Sequence, residues 1–322
     1  MFERICAELK LGALTAPPIR LNGGFTHRMF RLITAQGDYA VKLLNPEIMR
    51  RPDALDNYRT AEAFEVLLER ENLPILPAKT IGGRKLQCVD GQYLYVFDYF
   101  GGRPLQAAEI TPAHCAKIGA VLAGIHGMKH LCHPLAEDSA PAKGSHWREL
   151  ADALLTSADA RAEGELLQTN LPMLERVTVA AEDAARHLSP MTALCHNDMD
   201  PKNVLWQGEE FRIIDLECLG NADPRQELLD LAISWSGAEE SRFKAFVGAY
   251  YAAGSVRVAD AALVYDSRRN YLDWLAYNAR RALFDDPEER RVAQMQIRAT
   301  LMKLQADAAA RETRLQWLYE LA

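Results

Sequence analysis

Residues 194–217, LCHNDMDPKNVLWQGEEFRIIDLE, decide how this chain is read. The stretch opens apolar and reaches His196, Asp198 and Asn203. It then runs through Val204-Leu205-Trp206 into a turn at Gln207-Gly208. A second apolar run, Phe211 to Ile214, delivers Asp215. The pattern predicts a short strand, a loop and a hairpin, with an acidic residue at each critical bend. Phosphoryl transfer from ATP needs such parts. One carboxylate takes or orients the acceptor hydroxyl, and an amide with a second carboxylate holds magnesium on the phosphates. Asp198 is the expected base, Asn203 and Asp215 the expected metal ligands, and His196 a brace inside the loop. Any one of these residues alone would fit an acidic turn between strands; the four together at these intervals argue against that.

The spacing H-x-D-x-x-x-x-N followed by I-I-D resembles the small-molecule form of the protein-kinase signature, as in the aminoglycoside phosphotransferase and choline kinase family. The resemblance implies an α+β, bilobal, protein-kinase-like fold. A small N-terminal lobe, 1–100, would bind nucleotide with an antiparallel sheet and one helix. A larger, mainly helical lobe, 101–322, would carry catalysis and the acceptor. It also implies ATP and Mg2+ as cofactors.

Working upstream, Ile19-Arg20-Leu21, Met29 to Ile33 and Tyr39 to Leu44 read as strands, with a hairpin turn at Gly37-Asp38. A short amphipathic helix over 2–12 precedes them. Gly23-Gly24 opens the loop before the hairpin, where glycines let backbone amides approach phosphate oxygens. The family pattern G-G-x-[ST]-N puts Thr26 at the hydroxyl position, with His27 where asparagine is common. Lys42, after Ala40-Val41, matches the strand lysine that reaches the α and β phosphates. Residues 53–72 keep a helical period at Tyr58, Ala61, Phe64, Leu67 and Leu68. Glu62 is the residue chosen from the family pattern to pair with Lys42. Glu65 competes with it and is read as a solvated side chain. Asp90-Gly91 marks a further hairpin, and Phe97-Asp98-Tyr99-Phe100 stands where the family's hinge meets the adenine, giving Phe97 and Tyr99 as nucleotide contacts.

Thr111-Pro112 starts a helix whose run from Ile118 to His126 is apolar on nearly every face, so it should be buried, with His126 in the core. Two helices are expected over 145–188, with a break near Pro172. Downstream of the motif, Asp230 is expected to anchor the catalytic loop. Residues 266–283 place Tyr271, Trp274 and Asn278 on one helical face. That face is either core or an acceptor pocket in which Trp274 meets substrate. A charged closing helix covers 285–320, interrupted near Pro287.

A net charge of −7 disfavours a nucleic-acid partner, which would call for a basic stripe. No apolar run approaches a membrane span and no signal peptide is visible, so a cytoplasmic protein is expected. The 6 cysteines form no C-x-x-C pair, which argues against zinc, and the Cys132-His133 neighbours read as loop residues beside Pro134.

The expected activity is transfer of the γ-phosphate of ATP to a hydroxyl of a small, amine-bearing molecule. Asp200 stands where a protein serine kinase has lysine, and Glu217 where it has glycine. With Asp223, Glu239 and Glu240 they could put negative charge around the acceptor. Choline, ethanolamine or sugar kinases share these motifs. A non-catalytic nucleotide-binding module would be expected to lack Lys42, Asp198 or Asp215, and all three are present. A protein kinase is disfavoured by Asp200 and by the missing activation segment.

Overall fold

The computed structural model describes residues 1–21, 27–128 and 146–321. Gly23, Gly24 and Thr26, and the Cys132-His133 pair, lie outside the described residues. Phe2–Glu8 forms a short helix (α1), followed by Ile19–Leu21 (β1), Arg28–Thr34 (β2) and Gly37–Leu43 (β3), paired antiparallel in turn. The β2–β3 hairpin turns at Ala35-Gln36 rather than at Gly37-Asp38, because Thr34 already pairs with Gly37. The Thr34 hydroxyl accepts the Gln36 N–H at 3.1 Å and closes that turn, and Gly37 takes a φ of 149° that suits only glycine well.

Pro46–Met49 (α2) and Ala54–Arg70 (α3) come next, then Gln87–Val89 (β4) and Gln92–Asp98 (β5). Asp90 and Gly91 join β4 to β5 with φ of 52° and 78°, both positive as a type I′ turn requires. The five strands stand in the order β1-β2-β3-β5-β4. Ile5 and Cys6 of α1, with Leu9 just past its end, pack with Leu32, Val41, Leu43, Leu94 and Val96. Side chains alternate along a strand, so Lys42, between Val41 and Leu43, points to the opposite face. There α3 brings Tyr58 against Leu44 and Tyr95.

The helical lobe begins with Pro112–His126 (α4), whose Thr111 cap forms a reciprocal box with His114. His146–Thr156 (α5) and Arg161–His187 (α6) follow. Pro172 lies inside α6, and the break falls earlier, at 157–160. Leu167, Leu174 and Ala181 keep one buried stripe across the proline, and packing of that stripe outweighs the lost backbone bond. Ala193–Cys195 (β6) pairs with Gly220–Ala222 (β9). Between them Val204–Gln207 (β7) and Glu210–Ile213 (β8) make the expected hairpin.

Pro224–Ser236 (α7), Glu240–Ala253 (α8), Ala261–Ser267 (α9), Asn270–Arg281 (α10) and Pro287–Tyr319 (α11) complete the lobe. The stretch 266–283 is therefore two helices. They part at Arg268, whose guanidinium turns inward to Asp230 and Asp307, 2.9 Å from each. Pro287 starts α11 rather than interrupting it, with the Asp286 side chain capping Glu288 and Glu289. The main core joins α3, α4, α7 and α8 around Leu68, Ile118, Leu228, Trp235 and Phe246. Among the described residues no helix is long and apolar enough to cross a membrane.

Candidate active site

The loop from His196 to Asn203 is held from below. Glu227 on α7 accepts the Asn197 N–H at 2.5 Å and the His196 N–H at 3.2 Å. Its carboxylate also bonds His126 Nε2 at 2.7 Å, and His126 Nδ1 reaches the Tyr250 hydroxyl at 2.7 Å. Burial works against the Glu227 charge, but the hydrogen bond and field of His126 hold the carboxyl below the usual range. Trp235 Nε1 donates to Met199 O at 3.0 Å. The loop's anchor is thus Glu227, where Asp230 was expected; Asp230 is engaged by Arg268. The sequence signal was available in Glu227-Leu228-Leu229, which stands one turn nearer the loop than Asp230-Leu231-Ala232. His196 is fully buried, and its Nδ1 accepts the Asp198 N–H at 3.3 Å, which suits a brace.

Asn203 turns its amide nitrogen to Asp198, 2.9 Å from Oδ2 and 2.7 Å from the backbone oxygen. The Asn203 amide oxygen is then the atom left for a cation. Ile214 N–H donates to Asn203 O at 2.9 Å, so the end of the β7–β8 hairpin is tied back to the loop. Asn197 and Asp215 both sit in the left-handed region, with φ of 64° and 65°. Such conformations cost on the order of 1–3 kcal/mol and persist where surrounding structure enforces them. At Asp215 the result is a carboxylate aimed at the sheet above.

Asp215 Oδ1 meets Lys42 Nζ at 2.5 Å, and Glu217 makes a second ion pair with the same ammonium. Burial opposes the Lys42 charge, but the two carboxylates push its pKa above the ordinary lysine value. Glu217 also receives His27, Nε2 to Oε1 3.1 Å, while His27 Nδ1 accepts the Asn45 N–H at 2.9 Å. Nδ1 is therefore unprotonated, and the ring proton sits on Nε2, facing Glu217 and the Tyr58 hydroxyl. Burial opposes the Glu217 charge too, yet Lys42 and then His27 hold its carboxyl well below the usual range.

Three expectations change here. Glu62 does not meet Lys42: it accepts the Leu86 N–H and the Tyr95 hydroxyl, each at 2.9 Å. The reach of Tyr95 across from β5 claims this carboxylate first. Glu217, expected on the acceptor side, is instead held by Lys42 and His27 beneath the sheet. Glu65 is buried, 6% exposed, and holds Lys85 at 2.7 Å and the Ala78 N–H at 2.6 Å. It is a core ion pair rather than a solvated side chain.

In the stretch expected to be a hinge, Tyr99 N–H donates to Asp38 O at 3.0 Å, and the Arg31 guanidinium lies 4.0 Å over the Tyr99 ring. Phe97 stands opposite Ala40 in the β3–β5 ladder. The Tyr99 amide thus belongs to the sheet.

On the other side of the loop, Asp200 precedes the turn Pro201–Asn203, and its backbone oxygen accepts the Asn203 N–H at 2.8 Å. Tyr271 is the aromatic near it. Burial first, then the fields of Asp200 and Asp230, push the Tyr271 phenol up. Trp274 faces elsewhere, its indole N–H on Gln296 of α11 at 3.2 Å and its ring stacked on Tyr277. Asn278 is fully buried, so this end of the face is core. Asp223 caps α7 and pairs with Arg225, Glu240 pairs with Lys244, and Glu239 precedes α8. Asp223 and Glu240 are thus paired with neighbouring cations, and Glu239 stands at a helix start.

Lys202 was not singled out by the sequence reading. It lies 2.9 Å from Asp198 Oδ1 and 3.0 Å from Oδ2. Burial, with Asp200 and Asp215 nearby, pushes the Asp198 carboxyl up, and Lys202 pulls against that. The signal was a lone cation inside D-M-D-P-K-N.

A second cluster, His126, Cys195 and Glu227, brings its ligand atoms within 4.8 Å of one another. Both His126 nitrogens are already committed, and burial pushes the Cys195 thiol up so that it stays protonated. The oxygens of Asp215 and Asn203 suit a hard cation such as magnesium far better.

The model of the phosphotransferase enzyme family matches residues 19–271. No curated protein matches the chain by sequence. Among solved structures, spectinomycin phosphotransferase in complex with ADP and spectinomycin aligns with a TM-score of 0.71 at 15% identity, over 92% of this chain and 93% of that one. A choline/ethanolamine kinase family protein from Mesorhizobium loti aligns with a TM-score of 0.62 at 18% identity, over 98% of each chain. Amicoumacin kinase, complexed with AMP-PNP and Ca2+, gives 0.62 at 12% identity, over 93% of this chain and 92% of that one. At these identities the structural likeness is one of fold. The family match spans most of the chain and contains Lys42, Asp198, Asn203, Asp215, Glu217 and Glu227, so the chain belongs to the phosphotransferase enzyme family and is a small-molecule kinase.

Proposed function

We propose that the chain moves the γ-phosphoryl group of magnesium-bound ATP to a hydroxyl of a small, amine-bearing molecule. The observation that carries this is the meeting of Lys42 with Asp215, Nζ to Oδ1 2.5 Å, above a loop in which Asn203 is bonded to Asp198. Lys42 would take the α and β phosphates, and Asp215 with the Asn203 oxygen would hold magnesium, which neutralises charge on the β and γ phosphates when bound. Asp198 accepts the proton of the acceptor O–H as its oxygen bonds to phosphorus. The bond from phosphorus to the β-phosphate oxygen breaks, and ADP leaves with that electron pair. Spectinomycin phosphotransferase holding ADP, and amicoumacin kinase holding AMP-PNP, support a nucleotide in the same fold. Within this reading residues 1–100 form the nucleotide lobe, with the Phe97–Phe100 hinge and the Gly23-Gly24-Thr26 loop, and 101–322 the catalytic and acceptor lobe.

An amine on the acceptor follows from the negative charge beside the base. Asp200 lies two residues from Asp198 on the same loop, and its field reaches both Asp198 and Tyr271. The test is purified protein with ATP and magnesium against a panel of amino-sugars, amino-alcohols and plain sugars, read by product mass. Transfer to amine-bearing members that is lost in Asp198→Ala supports the reading. Nucleotide binding with no transfer to any of them overturns it, and transfer only to plain sugars overturns the amine.

A further inference from the structure

We propose that Lys202 is a second catalytic cation, which leaves Asp198 for the γ-phosphoryl group when nucleotide and acceptor are bound. The proposal rests on the kinase reading above and adds to it the group that stabilises the transferring phosphoryl from the acceptor side.

Lys202 ends the short turn Pro201–Asn203, one residue before β7, so its backbone is fixed by the same bonds that fix Asn203. Its ammonium bridges both carboxylate oxygens of Asp198, at 2.9 and 3.0 Å. It lies in the field of three carboxylates, Asp198, Asp200 and Asp215. Yet the side chain is 49% exposed, so it is not enclosed and has open space beside it. These facts place a positive charge against the carboxylate proposed as the base, with room to leave it.

The distances decide where that charge goes during transfer. An acceptor hydroxyl within hydrogen-bond reach of Asp198 puts the phosphorus that it attacks on the order of 5 Å from the resting ammonium. A lysine stem spans such a gap by rotamer change alone. The incoming phosphoryl oxygens are negative and would otherwise face Asp198 and Asp200 directly. Lys42 cannot serve there, because Asp215 and Glu217 hold it on the sheet side. When Asp198 takes the hydroxyl proton its charge is cancelled, the Lys202 contact loses its partner, and the equatorial phosphoryl oxygens become the strongest anions in reach. One cation then covers the α and β phosphates from the sheet, and a second covers the γ-phosphoryl from the loop.

Lys202→Ala and Lys202→Arg test this beside wild type. Calorimetry measures affinity for magnesium AMP-PNP and for magnesium ADP with the acceptor found in the panel held at saturation, and steady-state kinetics use the same acceptor. Lys202→Ala should weaken AMP-PNP binding about tenfold more than ADP binding and lower kcat by about 10²-fold, the usual loss for one preorganised transition-state donor. Lys202→Arg should recover most of both. A residue that only positioned Asp198 would lower kcat while leaving the ratio of AMP-PNP to ADP affinity untouched, and that result overturns the proposal. So does a Lys202→Ala enzyme with kcat within threefold of wild type. A wild type that binds nucleotide but phosphorylates nothing in the panel overturns the kinase reading itself, and the proposal falls with it.

Discussion

Lys42 and Asp215 stand 173 residues apart in the chain and 2.5 Å apart in space, Nζ to Oδ1. The contact joins the third strand of the sheet to the end of the β7–β8 hairpin, and so it closes one lobe on the other. A lysine buried on a sheet face would be costly if unpaired. Here two carboxylates from the helical lobe supply its charge partners, and neither comes from α3.

The pairing makes a direct prediction about Glu62. Its carboxylate accepts the Leu86 N–H and the Tyr95 hydroxyl and leaves Lys42 to others. Glu62→Gln keeps an acceptor oxygen at that place, so KM for ATP should change by less than about threefold, under 1 kcal/mol. Glu217→Gln removes charge from Lys42 and His27 together and should disturb nucleotide binding by more. Steady-state kinetics at saturating acceptor measure both; a larger effect from Glu62 would sink the assignment.

Glu227 carries a second prediction. It is buried and receives two loop amides and His126. In Glu227→Gln one acceptor oxygen becomes an N–H donor facing other donors. Leaving buried donors unmatched costs about 1–3 kcal/mol. Denaturant unfolding should show that loss. The kcat should fall at least about tenfold, because the loop that carries Asp198 loses its floor. Acceptor KM should move much less. A variant with lowered stability but wild-type kcat would show that the loop is held by other bonds, with Trp235 to Met199 O the foremost.

Much of this arrangement was legible in the letters. The stretch 194–217 predicted strand, loop and hairpin, and the structure has them in that order. Lys42 was readable as the lysine after Ala40-Val41 in a strand, and the structure sets it on the face opposite the buried Val41 and Leu43. What could not be read was choice among equivalent acids. Glu62, Glu65 and Glu217 all offered a carboxylate at a plausible helical or loop position. Three distant residues, Tyr95, Lys85 and His27, decided which acid went where. Trp274 failed for a related reason. Helical period gave its face correctly relative to Asn278, but only the packing of α10 on α11 shows what that face meets. Lys202 was visible but had no place in the pattern used to read the loop.

Asp230 gives a pH dependence. Burial raises its carboxyl from 3.8 to about 7, with Arg268 pulling against burial and Asp307 and Asp200 adding to it. The folded state therefore binds this proton more tightly than the unfolded chain does. Stability from this group is present below about 3.8 and is lost as pH rises to about 7, then levels off. Asp230→Asn has no such proton to lose. The stability difference should move in favour of the variant between about pH 4 and pH 7 and stay flat above. Urea unfolding across that range measures it. A difference that moves the other way would mean that the Arg268 ion pair outweighs burial.

The last prediction concerns the two helices behind the loop. Gly119 on α4 faces the backbone of α8 so closely that a Cβ there would lie 2.2 Å from Phe246 O and 3.0 Å from Phe246 C. That neighbour is backbone in the core, with Phe246 fully buried, so it has nowhere to retreat without parting the helices. Overpacking of this kind costs about 1–3 kcal/mol, and the tightness of this contact puts Gly119→Ala at the upper end. Gly248 on α8 is the control. A Cβ there meets nothing within 4 Å, and its backbone is helical. Gly248→Ala should therefore stabilise by about 0.4–1 kcal/mol, because the unfolded chain loses freedom and the folded one loses nothing. Thermal unfolding of the two variants should show shifts of opposite sign. Because α4 carries His126 and α8 carries Tyr250, the Gly119→Ala shift should come with a lower kcat, as the His126–Glu227 support of the loop is displaced. Gly248→Ala should leave kcat as it is.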